Sequence, residues 1–334
     1  MGTNINTWVL VLAAGEGTRL RPLTTFPSGK VIPKQFCSLR HGLMLLEEAL
    51  CRARAVTSNA HLCAVVAEQH RRWWETALWS LPPDNVIVQP ENRGTANGIL
   101  LPLLHIAKRD PGARILILPT DHYVHKEAIL AHSMRRALSR LLTHHDETVL
   151  LGLEPEECDP DLGYILPGGA TTDGIAQVAQ FVEKPSALQA RELIARGGLW
   201  NAFIVASTVS ALLGLFERRM GGIVDDMRAA VQQDLYAPSS GFAVAELYDH
   251  LPSLDFSRDI LQGGDLNLRV LRVGQCGWSD LGTPERVARV LRRMPKGDEL
   301  IGMYRGTSPM SLDVHAAGPG GVSAVSPLLS PSAT

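Results

Sequence analysis

Residues 8–23 read Trp-Val-Leu-Val-Leu-Ala-Ala-Gly-Glu-Gly-Thr-Arg-Leu-Arg-Pro-Leu, and this stretch decides the fold prediction. It opens on an apolar run that is too short for a helix and predicts a buried strand at Val9–Ala13. Gly15 and Gly17 follow and allow backbone N–H groups to approach and surround an anion, while Arg19 adds a planar charged fork suited to phosphate oxygens. The pattern therefore predicts a phosphate-binding loop at the carboxyl end of a strand.

Two common nucleotide-binding motifs do not match this loop. A dinucleotide-binding fingerprint needs a third glycine at position 20, where Leu20 stands, and this argues against a two-domain dehydrogenase. A P-loop needs Gly-Lys followed by Ser or Thr, which is also missing here. Any phosphate must therefore be held in another way.

Up to about residue 153 the chain alternates short apolar runs with longer segments of helical periodicity. This alternation is typical of an α/β protein with a mostly parallel sheet covered by helices on both faces. Ligands of such sheets bind beyond the carboxyl ends of the strands. The predicted strands are Val9–Ala13, Leu62–Val66, Val86–Val88, Ile115–Leu118 and Thr148–Leu151, and the predicted helices are Leu43–Ala55, Gln69–Leu81, Thr95–Lys108 and Lys126–Leu142.

After Gly152 the pattern changes to isolated strands mixed with helices, which we expect to complete the same sheet. The last 29 residues, from Gly306, contain 20 Gly, Pro, Ser, Ala or Thr and a single charge, so residues 306–334 are predicted to be a disordered tail. The strands predicted here are Tyr164–Leu166, Ile175–Val182, Ala202–Val205 and Leu268–Val273, and the helices are Leu188–Ala195, Ser210–Arg219, Val224–Leu235 and Pro284–Arg293.

Composition limits the class of protein. The 334 residues are 45% hydrophobic, and 32 Lys and Arg against 34 Asp and Glu leave a net charge of −2, so no basic field indicates nucleic acid or an anionic membrane. Five cysteines without a metal-ligand spacing, and the lack of an apolar run of about 18 residues, predict a cytoplasmic protein without a membrane span.

Several landmarks after the glycine-rich loop make the chain resemble the sugar-phosphate nucleotidyltransferases. Their signature is Gly-x-Gly-x-Arg-Leu-x-Pro-Leu followed by Pro-Lys, and Lys-Gln-Phe here is most similar to the mannose-1-phosphate guanylyltransferases. The resemblance runs from residue 8 to about 293. Its six ordered landmarks after the loop are Pro33–Phe36 (Pro-Lys-Gln-Phe), Pro90–Ala96 (Pro-Glu-Asn-Arg-Gly-Thr-Ala), Leu118–His122 (Leu-Pro-Thr-Asp-His), Phe181–Pro185 (Phe-Val-Glu-Lys-Pro), Leu199–Asn201 (Leu-Trp-Asn) and Gly277–Gly282 (Gly-Trp-Ser-Asp-Leu-Gly).

The resemblance implies a Rossmann-like three-layer nucleotidyltransferase fold with a mostly parallel mixed sheet. It places the catalytic domain at residues 1–305, with a nucleotide-binding half at about 8–153 and a sugar-phosphate-binding half at about 154–300. The implied reaction joins a sugar 1-phosphate, best mannose 1-phosphate, to an NTP, best GTP, and releases pyrophosphate. The partners are then these two substrates with Mg²⁺, and a homo-oligomer is compatible with the sequence.

Each landmark supplies candidate site residues. Asp121 and Asp280 follow predicted strands, and two carboxylates converging there suit Mg²⁺ with phosphate oxygens, although either alone is more typical of a turn or cap. The resemblance favours the metal role. It also implies catalytic roles for Arg19 and Lys34, nucleotide binding by Ala14, Gly15, Gly17, Thr18, Gln89, Gly94, Thr95 and Ala96, and sugar-phosphate binding by Gly163, Glu183, Lys184 and Asn201.

Three departures from the family pattern leave alternatives open. Nine residues, Thr24–Ile32, separate Pro-Leu from Pro-Lys, and they include Lys30 as a second candidate for the catalytic lysine. Ala14 stands where glycine is frequent. Gln89-Pro90 replaces a Glu-Pro start, and because an amide both donates and accepts, thymidylyl or uridylyl transfer to glucose 1-phosphate stays an alternative. A catalytically silent nucleotide-sugar-binding subunit is the alternative of another class.

Overall fold

The computed structural model describes residues 7–25, 29–39, 42–169, 173–236 and 242–294. The predicted tail at 306–334 and the end of the predicted catalytic domain lie outside these residues. The described strands are β1 (Thr7–Leu12), β2 (Leu62–Ala67), β3 (Val86–Gln89), β4 (Arg114–Pro119), β5 (His122–Val124), β6 (Thr148–Leu153), β7 (Tyr164–Pro167), β8 (Ile175–Val182), β9 (Leu199–Thr208), β10 (Leu268–Arg272) and β11 (Trp278–Asp280). The helices are α1 (Arg21–Thr24), α2 (Leu45–Arg54), α3 (Arg71–Ala77), α4 (Gly94–Arg109), α5 (Glu127–Arg140), α6 (Ala187–Ala195), α7 (Val209–Tyr236), α8 (Ala243–His250) and α9 (Pro284–Arg292), with a π-helical segment at Phe256–Leu261.

The larger sheet has nine strands within the described ranges, in the order β3-β2-β1-β4-β9-β6-β10-β8-β7. β1 pairs in parallel with β2 and β4, and β2 pairs in parallel with β3. β9 is antiparallel to both β4 and β6, and β8 is antiparallel to β7 and β10. Strands β8 and β9 therefore run against the other seven. This confirms the predicted α/β class with a mixed, mostly parallel sheet.

Helices cover both faces of the sheet and produce three layers. All six residues of β4 and the first five of β1 are buried, as expected for central strands with apolar neighbours on both sides. One core contains the inner faces of α2, α5, α6 and α9, and the other contains those of α4, α7 and the π-helical segment. No helix among the described residues combines the length and apolar character needed to cross a bilayer.

The predicted strands and helices differ from the structure in several places. Strand β9 begins at Leu199 rather than Ala202, so Asn201 lies inside a strand, and Phe203 within it has a left-handed φ of 52° that breaks a regular pattern. The two helices predicted at 210–219 and 224–235 are both present within α7, and non-helical angles at Met220 mark the kink between them. Helix α3 is shorter than Gln69–Leu81. Strands β5 and β11 were not predicted, because three residues show no periodicity.

A buried carboxylate connects several elements at the end of the sheet opposite the glycine-rich loop. Glu147 precedes β6, and its side chain is 4% exposed. Its Oε2 accepts from Arg140 Nε of α5 at 2.7 Å, and its Oε1 lies 2.9 Å from Arg269 Nε of β10. Burial acts to raise the pKa of Glu147, but the two arginines outweigh it and hold that pKa below its ordinary range. The carboxylate thus connects a helix to two strands.

Replacing Glu147 by Gln should destabilise the protein by about 3 kcal/mol, because two guanidinium groups lose their buried counter-charge. The lowered pKa means that the carboxylate contributes fully above the ordinary glutamate range and loses its contribution as the pH falls through and below it. The Gln variant should therefore lose part of the acid dependence of the free energy of unfolding. Denaturant unfolding at pH 7 and pH 4 measures both effects.

Glu154→Gln is the matched control, since Glu154 pairs with Arg272 where both side chains are about half exposed. Its cost should stay below about 1 kcal/mol. Equal losses of stability in the two variants would contradict the assigned importance of the buried carboxylate.

Candidate active site

The glycine-rich loop lies between β1 and a 3-10 turn at Thr18–Leu20. The N–H of Ala13 donates to Val65 O of β2 at 2.9 Å. The side-chain amide of Gln35, which is 1% exposed, donates from Nε2 to Ala13 O at 2.8 Å and to Gly15 O at 3.0 Å. Gln35, which follows the Lys34 of the Pro-Lys signature, therefore holds two carbonyl groups of the loop in place. Gly15 is exposed, and a Cβ there would meet nothing within 4 Å.

Lys34 lies across this loop. Gly17 has a φ of 61°, and a Cβ added there would lie 2.9 Å from Lys34 Cγ, so only glycine leaves room for the lysine. The Lys34 ammonium contacts the carboxylate of Asp121, and the two side chains are 15% and 29% exposed. Lys30, the alternative lysine, instead lies over the ring of Trp73 at 4.7 Å from its centroid. The structure thus places Lys34, and not Lys30, at the loop.

A cavity of about 220 Å³ opens between the loop and the turn that follows β11. Gly17, Thr18, Arg19, Lys34 and Gly282 are among the residues that line it. Two basic side chains, the acidic Glu16 and glycine backbone therefore face one space at the carboxyl end of β1.

Asp121 and Asp280 meet beside this cavity through the short β5–β11 ladder. Asp280 pairs in register with His122, and the N–H of Leu281 donates to Asp121 O at 2.9 Å. Burial acts to raise the pKa of Asp121, but Lys34 outweighs it and holds that pKa well below its usual range. Burial raises the pKa of Asp280; Asp121 adds to this increase, and Arg286 opposes it.

The two carboxylates fit a divalent cation. No group of three or more His, Cys, Asp or Glu in the described part of the chain forms a complete cage of protein ligands. Mg²⁺, however, usually takes only one or two carboxylates and completes its shell with phosphate oxygens and water. Burial and the nearby Asp121 carboxylate both disfavour the charged form of Asp280, and a bound cation would offset both effects.

His122 is a buried neutral neighbour of Asp121. Burial lowers the pKa of His122 to about 4, against the opposing effect of Asp121. The indole Nε1 of Trp278 donates to His122 Nδ1 at 3.1 Å, so the imidazole proton belongs on Nε2, which lies 3.8 Å from Asp121 Oδ1. The imidazole therefore carries no charge at neutral pH.

The remaining predicted nucleotide-binding residues lie at the end of β3 and at the start of α4, and their surroundings differ. The side chain of Gln89 is buried, accepts at Oε1 from the Tyr248 hydroxyl at 3.3 Å and lies against Gly98 of α4, so its amide faces the interior. Gly94, Thr95 and Ala96 begin α4 and contact the 252–256 segment: Ala96 N–H donates to Leu254 O at 2.9 Å, and Thr95 Oγ1 accepts from Phe256 N–H at 2.8 Å.

Three of the predicted sugar residues lie together. The N–H of Asn201 donates to Gly163 O at 2.8 Å, and a Cβ at Gly163 would lie 2.6 Å from Glu183 Oε2. Asn201 Oδ1 accepts from the Phe203 N–H at 3.0 Å, so its NH₂ group is the part left to face a ligand, and that group lies 3.5 Å from Ser257 Oγ.

The fourth sugar residue, Lys184, is exposed and has a φ of 47°. Its Nζ lies 3.7 Å from Glu183 Oε1. Burial, with help from Asp255, raises the pKa of Glu183 against the effect of Lys184. A non-glycine residue in this backbone region costs energy, and such outliers are concentrated at functional sites.

Sequence reasoning missed two contributors to this site. The Pro252–Gln262 segment touches both the start of α4 and the sugar residues, since Gln262 Oε1 accepts from the Glu183 N–H at 2.8 Å. Arg286 of α9 contacts Asp280, and the available signal was a charged residue on the apolar stripe formed by Val287, Val290 and Leu291.

The three layers, the glycine-rich loop after β1 and the paired carboxylates at the same sheet edge define the class of Rossmann-like α/β proteins. The sequence pattern of the family described as "Nucleotidyl transferase" matches residues 8–296. The chain belongs to the nucleotidyl transferase family, and this confirms the family predicted from the sequence.

Named relatives lie among the guanylyltransferases. The chain is 28% identical over 307 residues to "Mannose-1-phosphate guanylyltransferase ManC" of Salmonella typhimurium, covering 86% of this chain and 60% of that protein. It is 30% identical over 228 residues to "Mannose-1-phosphate guanylyltransferase" of Escherichia coli, covering 66% of this chain and 44% of that protein. The alignments thus span about half of these relatives' length.

One solved structure is also similar in sequence. It is the crystal structure of a protein named "mannose-1-phosphate geranyltransferase" from Thermus thermophilus, and it superposes with a TM-score of 0.73 at 27% identity. The match covers 87% of this chain and 81% of that one.

Replacing Gly94 by Ala should destabilise the protein by at least about 1 kcal/mol, because φ is 83° and the added Cβ would overlap the carbonyl group of Leu254. The 252–256 segment would have to move away from the start of α4. Thermal unfolding checks the loss. Gly112→Ala is the control, since a Cβ there meets nothing within 4 Å, and an equally stable Gly94 variant would contradict the predicted overlap.

Proposed function

We propose that this protein is a sugar-1-phosphate nucleotidyltransferase that joins mannose 1-phosphate to GTP and releases pyrophosphate. The observation that carries the proposal is that Arg19 and Lys34 line a cavity beside a glycine-rich loop, while Asp121 contacts Lys34 and is joined to Asp280 through the β5–β11 ladder. The choice of mannose and guanine rests on the names of the relatives, because the buried Gln89 amide offers no exposed group for reading a base.

The two halves of the sheet receive separate substrates in this proposal. Residues of about 8–153 bind the nucleotide through Ala14, Gly15, Gly17, Thr18 and the start of α4. Residues of about 154–300 bind the sugar phosphate. Glu183 accepts hydrogen bonds from sugar hydroxyls, the NH₂ group of Asn201 donates to them, and Gly163 leaves space for the ring.

The reaction forms a bond between an oxygen of the sugar phosphate and the α-phosphorus, and it breaks the bond between that phosphorus and the leaving pyrophosphate. The attacking oxygen is already ionised at neutral pH, so no general base is required. Positioning and charge neutralisation must supply most of the acceleration. His122 agrees with this, because burial lowers its pKa to about 4 and makes it a weak base, and its acceptor nitrogen Nδ1 already accepts from the Trp278 indole.

Each basic group binds a different phosphate of the two substrates in this proposal. Arg19 binds the triphosphate and the departing pyrophosphate, Lys34 binds the α-phosphate and the attacking phosphate, and Lys184 neutralises the sugar phosphate. The Lys34 ammonium contacts the Asp121 carboxylate, and its three N–H donors allow it to contact a substrate oxygen as well. Asp121 and Asp280 are the residues that would hold Mg²⁺, which when bound supplies positive charge to phosphate oxygens.

The panel that tests this function is pyrophosphate release from each of four NTPs with mannose 1-phosphate and glucose 1-phosphate, with and without Mg²⁺. Release with GTP and mannose 1-phosphate that stops on chelation is the expected result. Preference for dTTP or UTP with glucose 1-phosphate would replace the assigned substrates. No release with any pair would instead favour a silent nucleotide-sugar-binding subunit.

Lys34→Ala should lower kcat by about 10²- to 10³-fold, the usual loss when a group that stabilises transition-state charge is removed. Lys30→Ala is the matched control and should change kcat less than threefold, because Lys30 packs on Trp73 and does not line the cavity. Steady-state pyrophosphate release measures both variants, and a fully active Lys34 variant would refute the assignment.

A further inference from the structure

One guanidinium connects a proposed metal ligand to the sugar side of the site. Arg286 is buried on α9, and its Nη1 donates to Asp280 Oδ2 at 2.7 Å. Its Nη2 donates to Asp159 Oδ2 at 2.5 Å and lies 3.7 Å from Asp161 Oδ2. The side chains of Asp280 and Asp159 are only 14% and 13% exposed.

The Asp159 carboxylate organises the loop between β6 and β7, which we call the 154–163 loop. Asp159 Oδ1 accepts from the N–H of Asp161 at 3.0 Å, and the backbone of Asp159 exchanges hydrogen bonds with the hydroxyl of Tyr164. The loop ends at Gly163, whose carbonyl accepts from the N–H of Asn201. The loop therefore links Asp159 to Gly163 and Asn201, two of the proposed sugar-binding residues.

The same loop reaches the nucleotide side. Asp161 Oδ2 lies 3.5 Å from Arg19 Nη1. The Nη2 of Arg286 lies 3.7 Å from the same oxygen, so the two arginines approach one carboxylate. A Cβ at Gly282, in the turn after β11, would lie within 3.2 Å of Asp280, Arg286 and Arg19, so only glycine leaves room for these three side chains.

We propose that Arg286 is a positioning residue that fixes the Asp280 carboxylate and ties it to the 154–163 loop. The inference rests on the proposed function for the role of Asp280, but not for the hold on the loop. Arginine suits this task because its planar fork directs separate N–H groups at two carboxylates, whereas the ammonium group of lysine is a single compact charge. Arg286→Lys therefore keeps the charge and loses the bridge.

Two other arginines of α9 and its end provide matched controls. Arg289 and Arg293 also pair with the 154–163 loop, through Glu157 and Glu156, but all four side chains are about half exposed and none contacts Asp280. Arg293→Lys removes nothing from the proposed bridge. Arg293→Lys is a better control than Arg289→Lys, because the partner of Arg293, Glu156, is not adjacent to Cys158. The reactivity of the Cys158 thiol serves as the measure of loop position.

The reporter is Cys158, a half-buried thiol next to Asp159 that can be labelled with a chromogenic disulfide reagent. Cys51 is exposed and is replaced by Ser in every variant, while Cys37, Cys63 and Cys276 are buried. Arg286→Lys and Asp159→Asn should each raise the labelling rate of Cys158 at least fivefold. Arg293→Lys should stay within twofold of the parent.

The kinetic arm measures the Mg²⁺ concentration that gives half the maximal rate of pyrophosphate release. Arg286→Lys should raise it at least fivefold and lower kcat at least tenfold, because Asp280 is no longer held in place. A purely structural role would lower the unfolding temperature without changing the Mg²⁺ requirement. Arg293→Lys should leave the Mg²⁺ requirement and kcat unchanged.

The two arms separate this inference from the proposed function. If the parent releases no pyrophosphate, the proposed function fails, and the Cys158 rates still decide whether Arg286 holds the loop. If the parent is active while Arg286→Lys matches Arg293→Lys in labelling and in Mg²⁺ requirement, the positioning role is overturned.

Discussion

The ammonium group of Lys34 lies on the glycine-rich loop and contacts the carboxylate of Asp121. This contact needs β1 beside β4 in parallel register, because the loop follows one strand and the aspartate follows the other. It also needs glycine at position 17 and the Gln35 amide that holds the loop carbonyls. The β5–β11 ladder then brings Asp280 to the same place. Much of the sheet serves to bring opposite charges from distant parts of the chain together.

The charges around this contact are nearly balanced. Arg19, Lys34 and Arg286 face four carboxylates, from Asp121, Asp159, Asp161 and Asp280, so acidic groups exceed basic ones by one. The proposed substrates both carry phosphate and would meet no surplus of positive charge. A divalent cation shared with the aspartates would change that balance and leave the basic side chains available to phosphate. This charge balance supports the proposed role of Mg²⁺.

Sequence reasoning succeeded where a feature is local and failed where distant segments decide it. The strand and loop around Gly15 could be predicted because the apolar run, glycines and Arg19 are adjacent. Asp280 was expected in a turn, but the three-residue β11 exists only because β5 lies beside it. The burial of Gln89 depends on Tyr248, which is 159 residues away. The role of Arg286 depends on a loop 127 residues earlier. No periodicity or motif carries such information.

The contact between the start of α4 and the 252–256 segment limits what that helix can bind. The N–H of Ala96 is already bonded to Leu254 O, and the N–H of Gly94 to Asn92 Oδ1. A helix whose first amides are occupied by its own chain has lost much of its attraction for anions, which depends on free N–H groups at its amino end. The neighbouring β1 loop is then the favoured place for a triphosphate, and α4 is left to contact uncharged parts of a nucleotide. Recognition of charge and recognition of shape would thereby fall to different strand ends of one sheet.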